Sequence, residues 1–261
     1  MTAIDLTGKV ALVTGSSRGL GRHYALHLAQ AGADVIIHDV NASAAAEFGE
    51  ASSGPAVAEE LQALGRRSTF FAADLTDPMQ VEKLVQQVLG AFDHIDILVN
   101  NAGGDIGAHT PRPDPNDALD IHPEDIRSVV ERNLLTTMYT CKYVGSHMRE
   151  RRSGKIVNVG SVAGHIPARV GIIYAAAKAG IAHYTRCLAE ELRPYNINVN
   201  CIAPTATFTG RFRATRTVSH QEGLSRLQQI AQPEDMTEIV MFLVGPQSDL
   251  LTGETIVCWG G

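Results

Sequence analysis

The chain has 261 residues, 44% of them hydrophobic, and a formal net charge of −6. That is enough for one sizeable core, and an α/β chain of this length is expected to form a single domain over residues 1–261. The acidic balance argues against nucleic-acid or anionic-membrane partners, and no apolar run is long enough to span a bilayer. Met1 to Lys9 lacks a basic stretch followed by an apolar run. The four cysteines (Cys141, Cys187, Cys201, Cys258) form no CxxC pair. A cytoplasmic protein with reduced thiols and no bound metal is expected.

Short apolar runs alternate with longer stretches of helical spacing. The strand-like runs are Lys9–Thr14, Asp34–His38, Ser68–Ala72, Ile95–Val99, Lys155–Val159, Ile197–Ile202 and Glu254–Cys258. Between them, Arg22–Ala31, Met79–Ala91 and Ile126–Met148 carry apolar residues at helical intervals. This alternation predicts an α/β fold, a doubly wound parallel sheet flanked by helices. Three segments break the rhythm. Residues 41–55 are rich in Ala, Ser and Gly and extend the connection after the second strand. Residues 103–123 hold Pro111, Pro113, Pro115 and Pro123 and must be largely loop. Residues 205–232 read as a substrate-binding flap.

The first strand runs into Thr14-Gly15-Ser16-Ser17-Arg18-Gly19-Leu20-Gly21 and then a helix. Such a turn lets the backbone approach a pyrophosphate, with the N–H groups of the helix facing the anion. Gly15, Ser17, Arg18, Gly19, Leu20 and Gly21 are therefore candidate cofactor residues. Asp39, about 20 residues on, ends the second strand, where a carboxylate accepts from the adenosine ribose and repels a 2′-phosphate. Arg18 pulls the other way, because a cation in the turn can pair with that phosphate. Position favours Asp39, and with it NAD over NADP. Asp74 closes the third strand and is a candidate for the adenine side, or for a helix N-terminus; Leu75 joins it among the cofactor residues.

Tyr174 and Lys178 stand four apart in a helical stretch, so their side chains share one face. A free phenol titrates near 10, and an adjacent ammonium favours the phenolate. Ser161 follows the Lys155–Val159 run, where its hydroxyl can meet a substrate oxygen.

Thr14-Gly15-x-x-x-Gly19-x-Gly21, Asn100-Asn101-Ala102-Gly103, Ser161, Tyr174-x-x-x-Lys178 and Asn198-Val199-Asn200-Cys201-Ile202-Ala203-Pro204 occur in that order. With these five motifs the chain resembles the short-chain dehydrogenase/reductase family along essentially its whole length. The resemblance implies a Rossmann-type fold with a seven-stranded parallel sheet, usually in a dimer or tetramer. It implies Tyr174 as general acid/base and Lys178 as the residue that lowers the tyrosine pKa and binds the nicotinamide ribose. It implies Ser161 as the group polarising the substrate oxygen, and Asn133 as a holder of a proton-relay water. Asn101, Ala102 and Gly103 belong by the same likeness to the cofactor-side turn, and Pro204 and Thr209 to the nicotinamide end. The chain departs from the family's pattern at Thr205, Gly160 and Trp259, none of them in the Ser161, Tyr174 and Lys178 set.

The expected reaction is hydride transfer between a nicotinamide cofactor and a secondary alcohol or ketone, on a small polar substrate such as a sugar or hydroxy acid. The alternatives are an NADPH-dependent 3-oxoacyl-thioester reductase and a dinucleotide-binding sensor without turnover. The flap carries Arg211, Arg213, Arg216 and Arg226 against a single acid, Glu222, and Arg169 lies between Ser161 and Tyr174. Arginine forks suit anions, so Arg169, Arg211 and Arg213 are the candidate readers of an anionic or strongly polar substrate group.

Overall fold

The computed structural model describes residues 4–216, 221 and 224–260. Glu222 of the flap lies outside the described residues.

The apolar runs become parallel strands. β1 (Val10–Val13) leads to α1 (Gly19–Gln30), β2 (Asp34–Asp39), α2 (Gly54–Ala63), β3 (Ser68–Ala72), α3 (Pro78–Phe92) and β4 (Ile97–Asn100). Then come α4 (Pro123–Val130), α5 (Thr136–Arg151), β5 (Gly154–Val159), α6 (Ile172–Leu192), β6 (Ile197–Ala203), α7 (Gly210–Thr215), α8 (Pro233–Val244) and β7 (Thr255–Val257). The strands form one seven-stranded parallel sheet in the order β3-β2-β1-β4-β5-β6-β7.

Burial explains the composition of the strands. β1 and β4, in the middle of the sheet, are buried at every position, whereas the edge strands β3 and β7 are largely half-exposed. Side chains alternate between faces with period two. Ala11 and Val13 join a core under α1, α2 and α8, while Val10 and Leu12 join one under α3, α5 and α6. α3 shows the local logic. Asp77 caps it by accepting from the Met79 N–H at 2.9 Å, Pro78 takes its first position, and Val81, Leu84, Val85, Val88 and Phe92 face the sheet. Each such burial is worth about 1.5–3 kcal/mol.

Two expectations change in the structure. The helical stretch Ile126–Met148 is divided by a π-helical turn, Glu131–Leu135, between α4 and α5. Neither glycine nor proline causes it; a tertiary contact of Asn133, described below, does. The segment 41–55 is not plain loop, because it contains a 3-10 turn, Ala44–Phe48, and α2 begins at Gly54. Among the described residues no helix is long and apolar enough to cross a membrane.

The strand order reverses between β1 and β4, the two strands that diverge to opposite halves of the sheet. A crevice opens at the carboxyl ends of strands at such a point. The loops after β1, β4, β5 and β6 all meet there.

Candidate active site

A cavity of about 520 Å³ occupies this crevice. Its walls include Gly15, Arg18, Gly19 and Leu20 after β1, Asn101 and Gly103 after β4, Ser161 after β5, Tyr174 and Lys178 on α6, and Pro204 and Thr209 after β6. A smaller cavity of about 170 Å³ adjoins the turn and takes in Asp39, Asp74, Leu75 and Ala102. Gly15, Arg18, Asn101 and Gly103 line both.

The glycine-rich turn is held by the next loop. Asn101 donates through its side chain to the Thr14 and Gly15 carbonyls at 3.0 and 2.9 Å. Its own N–H and that of Ala102 donate to the Thr14 hydroxyl at 3.0 Å. A Cβ at Gly21 would stand 2.2 Å from the Gly15 carbonyl oxygen, so only glycine lets α1 begin this close to the turn. The turn is already in contact with an anion: the Glu50 carboxylate accepts from the Gly19 N–H. The donor set thus fits a phosphate group.

Asp39 is buried at the end of β2, where it accepts from the Ser17 hydroxyl and from the Val40 N–H. Arg18 lines the same small cavity as Asp39. Its guanidinium pairs with Glu47 at 2.5 Å and lies 4.7 Å from the Phe48 ring centroid. Asp74 binds the Thr76 N–H and hydroxyl, closing the turn before α3, and Leu75 is buried beside it.

On the opposite wall, Ser161 caps the 3-10 turn Val162–Gly164 by accepting from the Ala163 N–H at 3.2 Å. Tyr174 and Lys178 lie one turn apart on α6, with the ammonium 5.6 Å from the phenol ring centroid. Burial raises the Tyr174 pKa above its usual value; a hydrogen bond with Ser161 opposes that shift, Asp105 adds to it, and Arg211 and Arg216 also oppose it. Lys178 is buried, donates to the Val159 carbonyl at 2.8 Å, and is driven down to about 8 by burial. The cations that act against the rise at the phenol are therefore Arg211 and Arg216 of the flap, rather than the lysine that spacing singles out.

Asn133 explains the π turn. Its side-chain amide donates to the Gly104 and Val129 carbonyls at 2.9 and 2.8 Å, and its oxygen accepts from the Gly104 N–H at 2.9 Å. The helix opens where this carboxamide grips the loop leaving β4. A Cβ at Gly103 would meet the Asn133 oxygen at 2.6 Å, so the approach depends on glycine there. Both ends of the carboxamide are thus engaged by backbone. Thr209 caps α7, accepting from the Phe212 N–H at 3.3 Å, and the Pro204 carbonyl accepts from the Val162 N–H at 2.9 Å.

Of the three candidate arginines, only Arg211 lines the large cavity. It donates to the Asp105 and Pro111 carbonyls at 3.0 and 3.3 Å. Arg169 is exposed. Arg213 is exposed and stands 5.7 Å from the Phe208 ring. Arg216, by contrast, does reach the cavity wall.

Sequence reasoning missed Phe48, Glu50 and Asp105, all of which line the cavity. Glu47 and Glu50 are the only charges in residues 41–55, which was the available signal. It also missed the buried ladder beneath the site. There the Asn100 amide donates to Asn158 at 2.9 Å, the Asn158 amide to Thr185 at 2.9 Å, and the Thr140 hydroxyl to Asn100 at 2.6 Å.

Comparison with known proteins agrees with this architecture. Residues 9–219 match the family described as short chain dehydrogenase. The chain is 41% identical to a cyclohexanol dehydrogenase of Rhodococcus sp. (strain TK6), over 99% of this chain and 97% of that one. It is 36% identical to a 3-oxoacyl-[acyl-carrier-protein] reductase of Chlamydia pneumoniae, over 99% and 98%. Among solved structures it is similar to a 7α-hydroxysteroid dehydrogenase complexed with NADH and 7-oxo glycochenodeoxycholic acid. The TM-score is 0.86 at 28% identity, covering 99% of this chain and 96% of that one.

Proposed function

Because the chain belongs to the short-chain dehydrogenase family, we propose that it is an NAD-dependent dehydrogenase. Its substrate is a compact secondary alcohol bearing a second polar group, or the matching ketone. The observation that carries this reading is the convergence of Ser161, Tyr174 and Lys178 on one cavity that continues to the glycine-rich turn.

Asp39 and Ser17 would hold the adenosine ribose, the Gly19–Gly21 turn the pyrophosphate, and Lys178, Pro204 and Thr209 the nicotinamide end. When bound, the nicotinamide accepts or supplies the hydride. Tyr174 moves the proton. Ser161 orients the substrate oxygen beside the phenol, on the wall of the same cavity. Lys178, Arg211 and Arg216 stabilise the phenolate that oxidation requires. Asn133 fixes the strand carrying Gly103 and Gly104 on the floor of the site.

The choice of NAD rests on Asp39 at the end of β2, where a buried carboxylate accepts from ribose hydroxyls and repels a 2′-phosphate. The substrate class rests on the mixed wall of the cavity, where Val162, Ala163 and Phe212 alternate with Asp105, Arg211 and Arg216. The Rhodococcus relative, whose name gives a cyclic secondary alcohol as its substrate, points the same way. We also read the chain as a cytoplasmic homodimer or homotetramer. Its four cysteines are free thiols, and Leu250 and Trp259 expose large apolar surfaces suited to a second copy.

The test is a steady-state survey of secondary alcohols, cyclic diols, sugars and hydroxy acids with each cofactor. We expect turnover with a cyclic or hydroxylated secondary alcohol and a kcat/KM at least about tenfold higher with NAD. A preference for NADP with a 3-oxoacyl thioester would overturn the reading.

A further inference from the structure

The segment between β2 and α2 takes no part in the chemistry above, yet it reaches across the cleft. Ala44 and Ala45 anchor its 3-10 turn in the protein, and Gly49 turns the chain back. Phe48 and Glu50 then line the crevice, and Glu47 stands beside them. Glu47 pairs with Arg18, and the Phe48 ring packs against the same guanidinium. Glu50 does more, because one of its carboxylate oxygens accepts from the Gly19 N–H and the other from the Gly210 N–H. Those two donors stand on opposite walls, one in the turn after β1 and one beyond β6. The seat is close-fitting: a Cβ at Gly210 would lie 2.5 Å from the carboxylate. Phe48 and Glu50 line the same cavity as Gly15, Leu20, Thr209 and Tyr174.

A carboxylate and a phosphate make the same demand on such donors: negative charge, with more than one acceptor oxygen. Gly19 lies in the turn built to receive a pyrophosphate, and its single N–H cannot serve both anions.

We propose that Glu50 is an internal anion that competes with the dinucleotide's pyrophosphate for the Gly19 and Gly210 N–H groups, so that residues 44–50 form a latch which must let go before the cofactor seats. This rests on the dinucleotide reading of the site. The latch lowers the apparent cofactor affinity by the fraction of molecules in which it is open. It also gives the part-buried Gly19 and Gly210 N–H groups an acceptor.

The experiment is equilibrium titration of the full chain with ADP-ribose, which lacks the nicotinamide, and with NADH followed by its fluorescence. It compares the wild type with Glu50→Gln and Glu50→Asp. The amide removes the charge; the aspartate keeps it but is one methylene too short to bridge both N–H groups. We expect Glu50→Gln to bind both ligands about five- to tenfold more tightly. Glu50→Asp should bind them more tightly by about threefold, and both variants should melt earlier than wild type only when ligand-free. Affinity within a factor of about two of wild type in Glu50→Gln, or weaker, overturns the proposal. Tighter binding by Gln with no change in Asp overturns it too, since that is the mark of simple charge repulsion. If Glu50→Gln does not fold, Glu50→Asp carries the same criterion. Wild type that binds neither ADP-ribose nor NADH takes down the dinucleotide reading itself, a failure distinct from the others.

Discussion

The two walls of the cleft are built differently. On the wall made by β4, β5 and α6, polar side chains are tied to backbone: Lys178 to Val159, Asn133 to Gly104 and Val129, and Asn101 to Thr14 and Gly15. The wall made by residues 44–50 and the flap carries ion pairs between part-exposed side chains, such as Arg18 with Glu47 and Arg226 with Asp235, beside the backbone contacts of Glu50 and Arg211. The first arrangement suits chemistry that tolerates little displacement. The second suits access, because segments with few buried contacts open at low cost.

The largest effect should fall on the first wall. Tyr174→Phe removes the oxygen proposed to transfer the proton and leaves the ring, so kcat should drop by about two to four powers of ten. The dissociation constant for NADH should stay within a factor of about two of wild type, because the turn and Asp39 are untouched. Turnover above about a tenth of wild type would remove Tyr174 from its role.

Stability sharpens the comparison next. Asn133→Ala strips partners from the part-buried N–H and C=O of Gly104, and leaving such groups unsatisfied costs up to about 1–3 kcal/mol each. Urea unfolding of the apo protein should show a loss on the order of 2–4 kcal/mol. Glu47→Ala, on the other wall, removes a half-exposed pair worth about 1 kcal/mol or less. Equal losses in the two variants would mean that the walls are not distinct.

How far the sequence carried this picture follows from the same contrast. The strands were legible because sheet burial on two faces demands continuous apolar runs, and β2, β3 and β6 begin where those runs begin. The two elements of the Tyr-x-x-x-Lys pair were legible because helical spacing is local. The π turn was not, because its cause, Gly104, lies 29 residues from Asn133. Glu50 was hidden for a stronger form of the same reason: its partner Gly210 is 160 residues away. Only the fold could show that Asn101, expected beside the cofactor, clamps the turn from behind, or that Arg213 turns away from the cavity that Arg211 enters.

Lys178 gives a prediction with a definite sign. Its pKa falls from an ordinary 10.5 to about 8 in the folded protein. Between those values the unfolded chain binds more protons, so this group makes the apo protein more stable as pH rises from about 8 to 10.5, and less stable as pH falls through 8. The difference in unfolding free energy between wild type and Lys178→Met should therefore shift in favour of wild type across that window, by an amount on the order of 1–3 kcal/mol. A flat difference would show that the ammonium is not desolvated, and would place Lys178 on a wetter wall than its burial indicates.

The smallest effects concern the three arginines, where the contrast between the walls becomes a contrast between neighbours in sequence. Arg211 enters the cavity and its guanidinium is held by the Asp105 and Pro111 carbonyls, so one face of the fork is committed to the loop after β4. Burial and the nearby Arg18 lower its pKa, while Tyr174, Glu47 and Asp105 act to hold the charge. A cation so placed can read a polar group on the substrate and also bias the phenol toward its ionised form. Arg213 and Arg169 are exposed and outside the cavity, so solvent screens whatever charge they present. With a substrate in hand and cofactor saturating, Arg211→Ala should lower kcat/KM by about one power of ten, and the alkaline shift of its pH profile should mark the lost influence on Tyr174. Arg169→Ala and Arg213→Ala should stay within a factor of about two of wild type. If Arg213→Ala costs as much as Arg211→Ala, Arg213 also reads the substrate, and the second wall contributes to chemistry as well as to access.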